Sequence, residues 1–157
     1  MKRREILLAV CALPLTRAAS AQPKAPFRVG VVLTTSPVAE MLGPEPIHPR
    51  IRAFVHELRR LGYAEGGNLV LDRRSAEGKA DGVPRIISEL LGLKPNLLIT
   101  LGNPMTRAAM KLTDSVPIIA LGIPDPVADG IVSNLARPGG NVTGITTTPD
   151  SCCARTG

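Results

Sequence analysis

Residues 96–112, NLLITLGNPMTRAAMKL, change their hydrophobic pattern in the middle, and that change decides the fold. The run Leu97–Ile99 is short and wholly apolar, which is typical of a strand buried on both faces of a sheet. Gly102-Asn103-Pro104 then interrupts the apolar run. Beyond this loop, apolar residues recur every three or four positions, at Met105, Ala108, Ala109 and Leu112. The stretch therefore predicts a strand, a tight loop and a helix.

The same alternation extends through the chain on both sides. The predicted strands are Phe27–Leu33, Leu69–Leu71, Leu97–Ile99, Val116–Leu121 and Asn141–Ile145, and the predicted helices are Ile51–Leu61, Val83–Leu91, Met105–Leu112 and Val127–Leu135. This order predicts an α/β fold, an open doubly wound parallel sheet of about five strands with helices on both faces. Asp72-Arg73-Arg74 is expected past the end of the second strand, and Val38–Pro49 as a loop over the sheet edge.

Polar residues follow several of the predicted strands. In an open parallel sheet, ligands bind beyond the carboxyl ends of the strands, and the free N–H groups at the start of the helix after Gly102 favour an anionic group. The hydroxyls of Thr34, Thr35 and Ser36 could bond a ligand, or they are ordinary loop residues. Asp125 lies between two prolines, and its carboxylate either caps the following segment or contacts a ligand.

The composition suits one globular domain. Of 157 residues, 44% are hydrophobic and 20% are charged. Only 2% are aromatic and there is no Trp, which argues against single-stranded nucleic acid as a partner because such binding uses aromatic stacking. The net charge of +6 is halved when the first 21 residues are left out, so a basic nucleic-acid surface is weakly supported.

The N-terminus predicts export to the periplasm. Residues 1–21 combine a basic start, the apolar stretch Ile6–Leu15 and the small residues Ala19-Ser20-Ala21, as in a cleaved signal peptide. The apolar part is too short for a stable membrane span. Arg3-Arg4 before Ile6-Leu7 also resembles the twin-arginine export pattern, so the route is either that one or the general secretory one. Residues 22–26 are predicted as a linker.

Motifs for chemistry are missing from the sequence. There is no G-x-G-x-x-G after the first strand, no G-x-x-x-x-G-K-[ST], and no Cys or His spacing that suits a metal. No catalytic residue, metal or cofactor is therefore predicted. A Rossmann or flavodoxin-like nucleotide-binding enzyme remains the alternative, since the same sheet serves nucleotides. A repressor-type sensor would need DNA-binding helices where the export signal lies.

Several motifs in the same order resemble one family. Residues 125–144, DPVADGIVSNLARPGGNVTG, are similar to a segment of the bacterial ABC-transporter substrate-binding proteins, which bind small molecules, aromatic amino acids among them. Residues 57–63, ELRRLGY, and residues 76–81, AEGKAD, also resemble this family. The resemblance runs from about Phe27 to Ile145.

The resemblance implies a type I periplasmic binding-protein fold, in which two α/β lobes close around a small-molecule ligand and deliver it to a membrane permease without chemistry. Residues 27–148 would be the N-terminal lobe. The loops after strands one, three and four would face the cleft, and their candidate ligand-binding residues are Thr34, Thr35, Ser36, Gly102, Asn103, Thr106, Gly122 and Asp125. Asn103 and Pro124 depart from the family, which usually has a hydroxyl residue and a glycine there.

The C-terminal residues do not fit the family pattern. Family members continue into a second lobe of similar size, whereas residues 149–157, PDSCCARTG, show neither strand nor helix period. We expect an irregular tail, and a truncated or frame-shifted form with one lobe that binds its ligand weakly.

Overall fold

Five apolar segments build a single parallel sheet in the computed structural model, which describes residues 25–146. The strands are β1 (Phe27–Leu33), β2 (Leu69–Ser75), β3 (Leu97–Leu101), β4 (Ile118–Ile123) and β5 (Val142–Thr146). Their order across the sheet is β2-β1-β3-β4-β5, and every neighbouring pair is parallel. The reversal of direction beside β1 is the hallmark of a doubly wound sheet and confirms the predicted fold class.

Helices cover both faces of this sheet, as predicted. They are α1 (Val38–Met41), α2 (Pro49–Arg60), α3 (Val83–Gly92, after a 3-10 turn at Ala80–Gly82) and α4 (Asn103–Leu112). Met41 and Val55 from α1 and α2 pack with β1 and β2 on one face. Ile87 from α3 and Met105 from α4 pack with the central strands on the other. Aliphatic side chains therefore form two cores, one on each side of the sheet.

The second strand is longer than its apolar run, so the prediction for Asp72-Arg73-Arg74 was wrong. β2 pairs with β1 along its whole length, from Phe27↔Leu69 to Leu33↔Ser75. Because all seven residues of β1 pair with β2, the charged residues of β2 are also part of the sheet. Arg73 faces α2 and is buried, where its Nη2 donates to Glu65 Oε2 at 2.6 Å.

The predicted helix Val127–Leu135 is also wrong, because the chain between β4 and β5 makes only one helical turn. The N–H of Asp129 donates to the Asp125 carbonyl at 3.0 Å. Gly130 then adopts φ +64°, a left-handed conformation that ends helices. The N–H of Ile131 returns to the Pro126 carbonyl at 2.8 Å and closes the turn. The crossover to β5 is otherwise irregular.

Two smaller differences concern element boundaries. The predicted loop Val38–Pro49 contains the short helix α1. β4 begins at Ile118 instead of Val116, because Pro117 has no N–H and the first ladder bond runs from Ile118 N–H to the Asn141 carbonyl.

The predicted signal peptide (1–21), most of the linker (22–26), the last two residues of the predicted lobe and the tail (149–157) lie outside the described residues. Within residues 25–146, no helix has the length and apolarity needed to cross a bilayer. The same residues bring together no group of His, Cys, Asp or Glu side chains that could hold a metal ion.

Candidate functional site

The loops after β1, β3 and β4 meet at the carboxyl edge of the sheet. Parallel pairing places the ends of these three strands side by side. The Thr34 hydroxyl donates to the Leu101 carbonyl at 2.8 Å, and the Gly102 N–H donates to the Leu121 carbonyl at 2.9 Å. These two bonds join the three loops into one surface.

An open recess of about 560 Å³ lies on this surface. Its lining residues are Thr34, Arg50, Leu101, Gly102, Leu121, Gly122 and Ile145. Three of the eight residues predicted from the sequence, Thr34, Gly102 and Gly122, are therefore brought together. The leucines and Ile145 add apolar walls, so the recess can accept a small molecule with both polar and apolar parts.

Glycine is required at two of these positions. Gly102 has φ +88° and Gly122 has φ +70°, conformations that other residues rarely adopt. A Cβ atom on Gly102 would lie 3.4 Å from Thr34 Oγ1, so it would also crowd the recess. Both glycines leave backbone exposed where a ligand can approach it.

Thr106 does not face the recess, which corrects its expected role. Its side chain is fully buried. The hydroxyl lies 2.8 Å from Thr100 Oγ1 and donates to the Gly102 carbonyl at 3.0 Å. Helical geometry turns the fourth residue of α4 back toward β3, so Thr106 fixes the loop that holds Gly102 instead of contacting a ligand.

Asn103 is half-buried and points toward the chain between β4 and β5. Its Nδ2 donates to Asp129 Oδ2 at 2.6 Å, which fixes the orientation of the amide. Asn103 Oδ1 is buried and has no hydrogen-bond partner among the described residues. The side chain borders the β3–α4 loop without lining the recess.

The remaining predicted residues lie around the recess. Asp125 is exposed, and its Oδ1 accepts bonds from the N–H groups of Val127 at 3.2 Å and Ala128 at 2.9 Å. Asp125 therefore has the expected capping contact, and its contact with a ligand stays a prediction. Thr35 is exposed and Ser36 is half-buried, and neither lines the recess.

Arg50 lines the recess although sequence reasoning missed it. It lies in the first turn of α2, 16 residues after Thr34 in sequence.

The loop before α2 is held against this helix by Glu45, whose carboxylate lies 2.7 Å from Arg59 Nη1 and 2.6 Å from His56 Nε2. Hydrogen bonds from Arg59 and then His56 hold the pKa of the Glu45 carboxyl group below its usual value.

Solved structures share this fold. A conserved domain protein from Vibrio cholerae is 26% identical, with a TM-score of 0.66 over 79% of this chain and 40% of that one. A ligand-free, open substrate-binding protein with adhesive properties from Clostridium difficile is 25% identical, with a TM-score of 0.67 over 80% of this chain and 40% of that one. A Streptococcus pneumonia ABC domain in complex with L-Trp is 22% identical, with a TM-score of 0.63 over 78% of this chain and 39% of that one.

Sequence comparison gives the family. A tyrosine-binding protein from Clostridioides difficile (strain R20291) is 33% identical over 101 residues, which are 62% of this chain and 29% of that protein. The chain thus spans less than a third of this curated relative. The profile of the ABC transporter substrate binding proteins matches residues 44–152, well over half of the chain. The chain belongs to the ABC transporter substrate binding protein family.

Proposed function

We propose that this chain provides one lobe of a periplasmic solute receptor, which binds a small molecule and passes it to the membrane permease of an ABC transporter. The observation that carries this proposal is the recess where the loops after β1, β3 and β4 meet. Its described residues offer hydrogen bonds and apolar contact to a solute. Binding without reaction is the proposed activity, because the matching family is one of substrate-binding proteins.

Relatives support this class of ligand. One is named for tyrosine binding, and one solved structure with the same fold is a complex with L-Trp. The solved relatives are more than twice as long as the part that this chain matches. We propose that residues 27–148 supply one wall of the site and that a second lobe closes over the other side of the solute. The nucleotide-binding alternative is not favoured, because the family profile and the Clostridium difficile structure are those of substrate-binding proteins.

A titration followed by nuclear magnetic resonance tests the proposal. L-Tyrosine or L-tryptophan at millimolar concentration is expected to shift the amide signals of Thr34, Gly102 and Gly122, whereas glucose is not. Absence of any shift at this edge with either amino acid would contradict the proposal.

A matched pair of variants locates the binding. Ile145 and Leu61 are both exposed apolar residues, but only Ile145 lines the recess. Ile145→Asp is expected to weaken the shifts, because it replaces an apolar wall with a charge, while Leu61→Asp leaves them unchanged. Equal effects of the two changes would place the binding elsewhere.

A further inference from the structure

Among the described residues that line the recess, Arg50 is the only charged one. Most other arginines among the described residues are already engaged. Arg28, Arg59, Arg60, Arg73, Arg85 and Arg107 each lie within ion-pair distance of a carboxylate. Arg50 is exposed and has no such carboxylate in residues 25–146. Its guanidinium is therefore available to a ligand in the recess.

Helix stability does not explain an arginine at this position. α2 begins at Pro49, and the ring nitrogen Nδ1 of His48 accepts a bond from the Ile51 N–H at 3.4 Å as the helix cap. The N-terminal end of a helix carries partial positive charge, so a cation in the first turn is unfavourable. No Asp or Glu in the first turn of α2 offsets it. The positive charge of Arg50 is thus unfavourable for the N-terminal end of α2, and the residue lines the recess.

We infer that Arg50 is the specificity-determining residue of this lobe and selects solutes that carry a carboxylate next to an apolar body. This inference rests on the proposed function. A guanidinium pairs with a carboxylate through two parallel N–H···O bonds, a geometry that Lys cannot reproduce. The apolar body of the solute packs over Leu101, Leu121 and Ile145, which line the same recess.

Within residues 25–146, the lining of the recess offers no carboxylate that could pair with a cation. For a primary amine without a carboxylate, the only charged side chain nearby would be Arg50, which has the same sign of charge. Such an amine would therefore form no ion pair with these residues. The lobe therefore distinguishes an amino acid from the amine that remains when its carboxyl group is removed.

The test compares L-tyrosine with tyramine, which lacks the carboxylate, by titration of the full chain. The wild-type protein is expected to bind L-tyrosine roughly tenfold or more tightly than tyramine, since only L-tyrosine offers a carboxylate to Arg50. Arg50→Gln is expected to remove this preference, and Arg50→Lys to keep part of it.

Arg52 provides the control. It lies in the same turn of α2, is exposed and does not line the recess. Arg52→Gln removes the same charge from the helix and is expected to leave the preference for L-tyrosine intact. An equal loss with Arg50→Gln and Arg52→Gln would mean a general effect of charge and would overturn the inference.

The outcomes separate this inference from the proposed function. If the wild-type protein binds neither compound at the recess, the proposed function fails. If it binds L-tyrosine and Arg50→Gln binds it equally well, the inference about Arg50 fails while the proposed function stands. Unchanged far-ultraviolet circular dichroism shows that the Arg50 variants remain folded.

Discussion

At Gly102 the backbone has φ +88° and ψ 161°, a region that glycine occupies almost alone. Gly102→Ala is expected to destabilise the protein by about 1–3 kcal/mol, because the added Cβ is strained in this conformation. Thermal unfolding followed by circular dichroism measures the change.

Gly92 is the control for that substitution. It lies at the end of α3 with ordinary φ and open space where a Cβ would be. Gly92→Ala should be neutral or stabilise the protein by up to about 1 kcal/mol, as helix propensity predicts. If Gly102→Ala proves as stable as the wild-type protein, the added Cβ is not strained at this position.

Thr106 and Thr100 form a buried pair behind the recess. Thr106→Val is expected to cost about 1–3 kcal/mol, because it leaves the buried Thr100 hydroxyl without its partner and removes the bond to the Gly102 carbonyl. Thr100→Val should cost less, since the Thr106 hydroxyl keeps its bond to the Gly102 carbonyl. The double variant should cost less than the sum of the two single changes, with a coupling of about 0.5–3 kcal/mol. Chemical denaturation of the three variants measures this coupling. Additive costs would show that the pair makes no useful bond.

Among the elements, strand β2 contains a buried charged residue, Arg73. The side chain of Arg73 is only 4% exposed, while that of its partner Glu65 is 33% exposed. Glu65→Gln is expected to destabilise the protein by about 1.5–3 kcal/mol, since it weakens a hydrogen bond between charged groups and leaves Arg73 poorly compensated. Urea denaturation measures the loss, which should persist at high salt because the pair is partly shielded from water.

The ion pair of Glu57 with Arg60 on α2 is the matched control. Both side chains are more than half exposed, so Glu57→Gln should change stability little and any effect should shrink at high salt. If Glu57→Gln proves as costly as Glu65→Gln, burial does not distinguish the two pairs.

The elements also show why some local predictions failed. The run Val127–Leu135 has apolar residues at helical spacing, but Gly130 and the cap at Asp125 limit it to one turn. Asp72-Arg73-Arg74 is polar, and yet pairing with β1 makes it strand. Periodicity records which side of a segment is apolar, whereas hydrogen bonding to a neighbouring strand decides how far that segment extends.

For the whole molecule, ligand affinity depends on how much of the solute is enclosed. Binding sites of tight receptors cover most of the ligand surface, and the recess at the edge of this sheet is open. We expect residues 1–157 to bind L-tyrosine with a dissociation constant in the millimolar range. Calorimetry checks this expectation, and a micromolar dissociation constant would contradict it.

The sequence alone determined the fold class and predicted the sheet edge at which a site is expected. Buried parallel strands must be apolar runs and their covering helices must be amphipathic, so both leave a local signal. The order of elements placed Thr34 and Gly102 beyond the ends of strands, whereas Gly122 was a candidate through the family resemblance. All three line the recess.

Only the tertiary structure decided which side chains face the recess. It turned Thr106 into the core, used Asp125 as a cap and brought Arg50 from the start of α2 to the ends of the strands. The bond from Thr34 to Leu101 joins residues 67 positions apart. Contacts over such distances depend on how helices pack on the sheet, and local residue patterns do not contain that information.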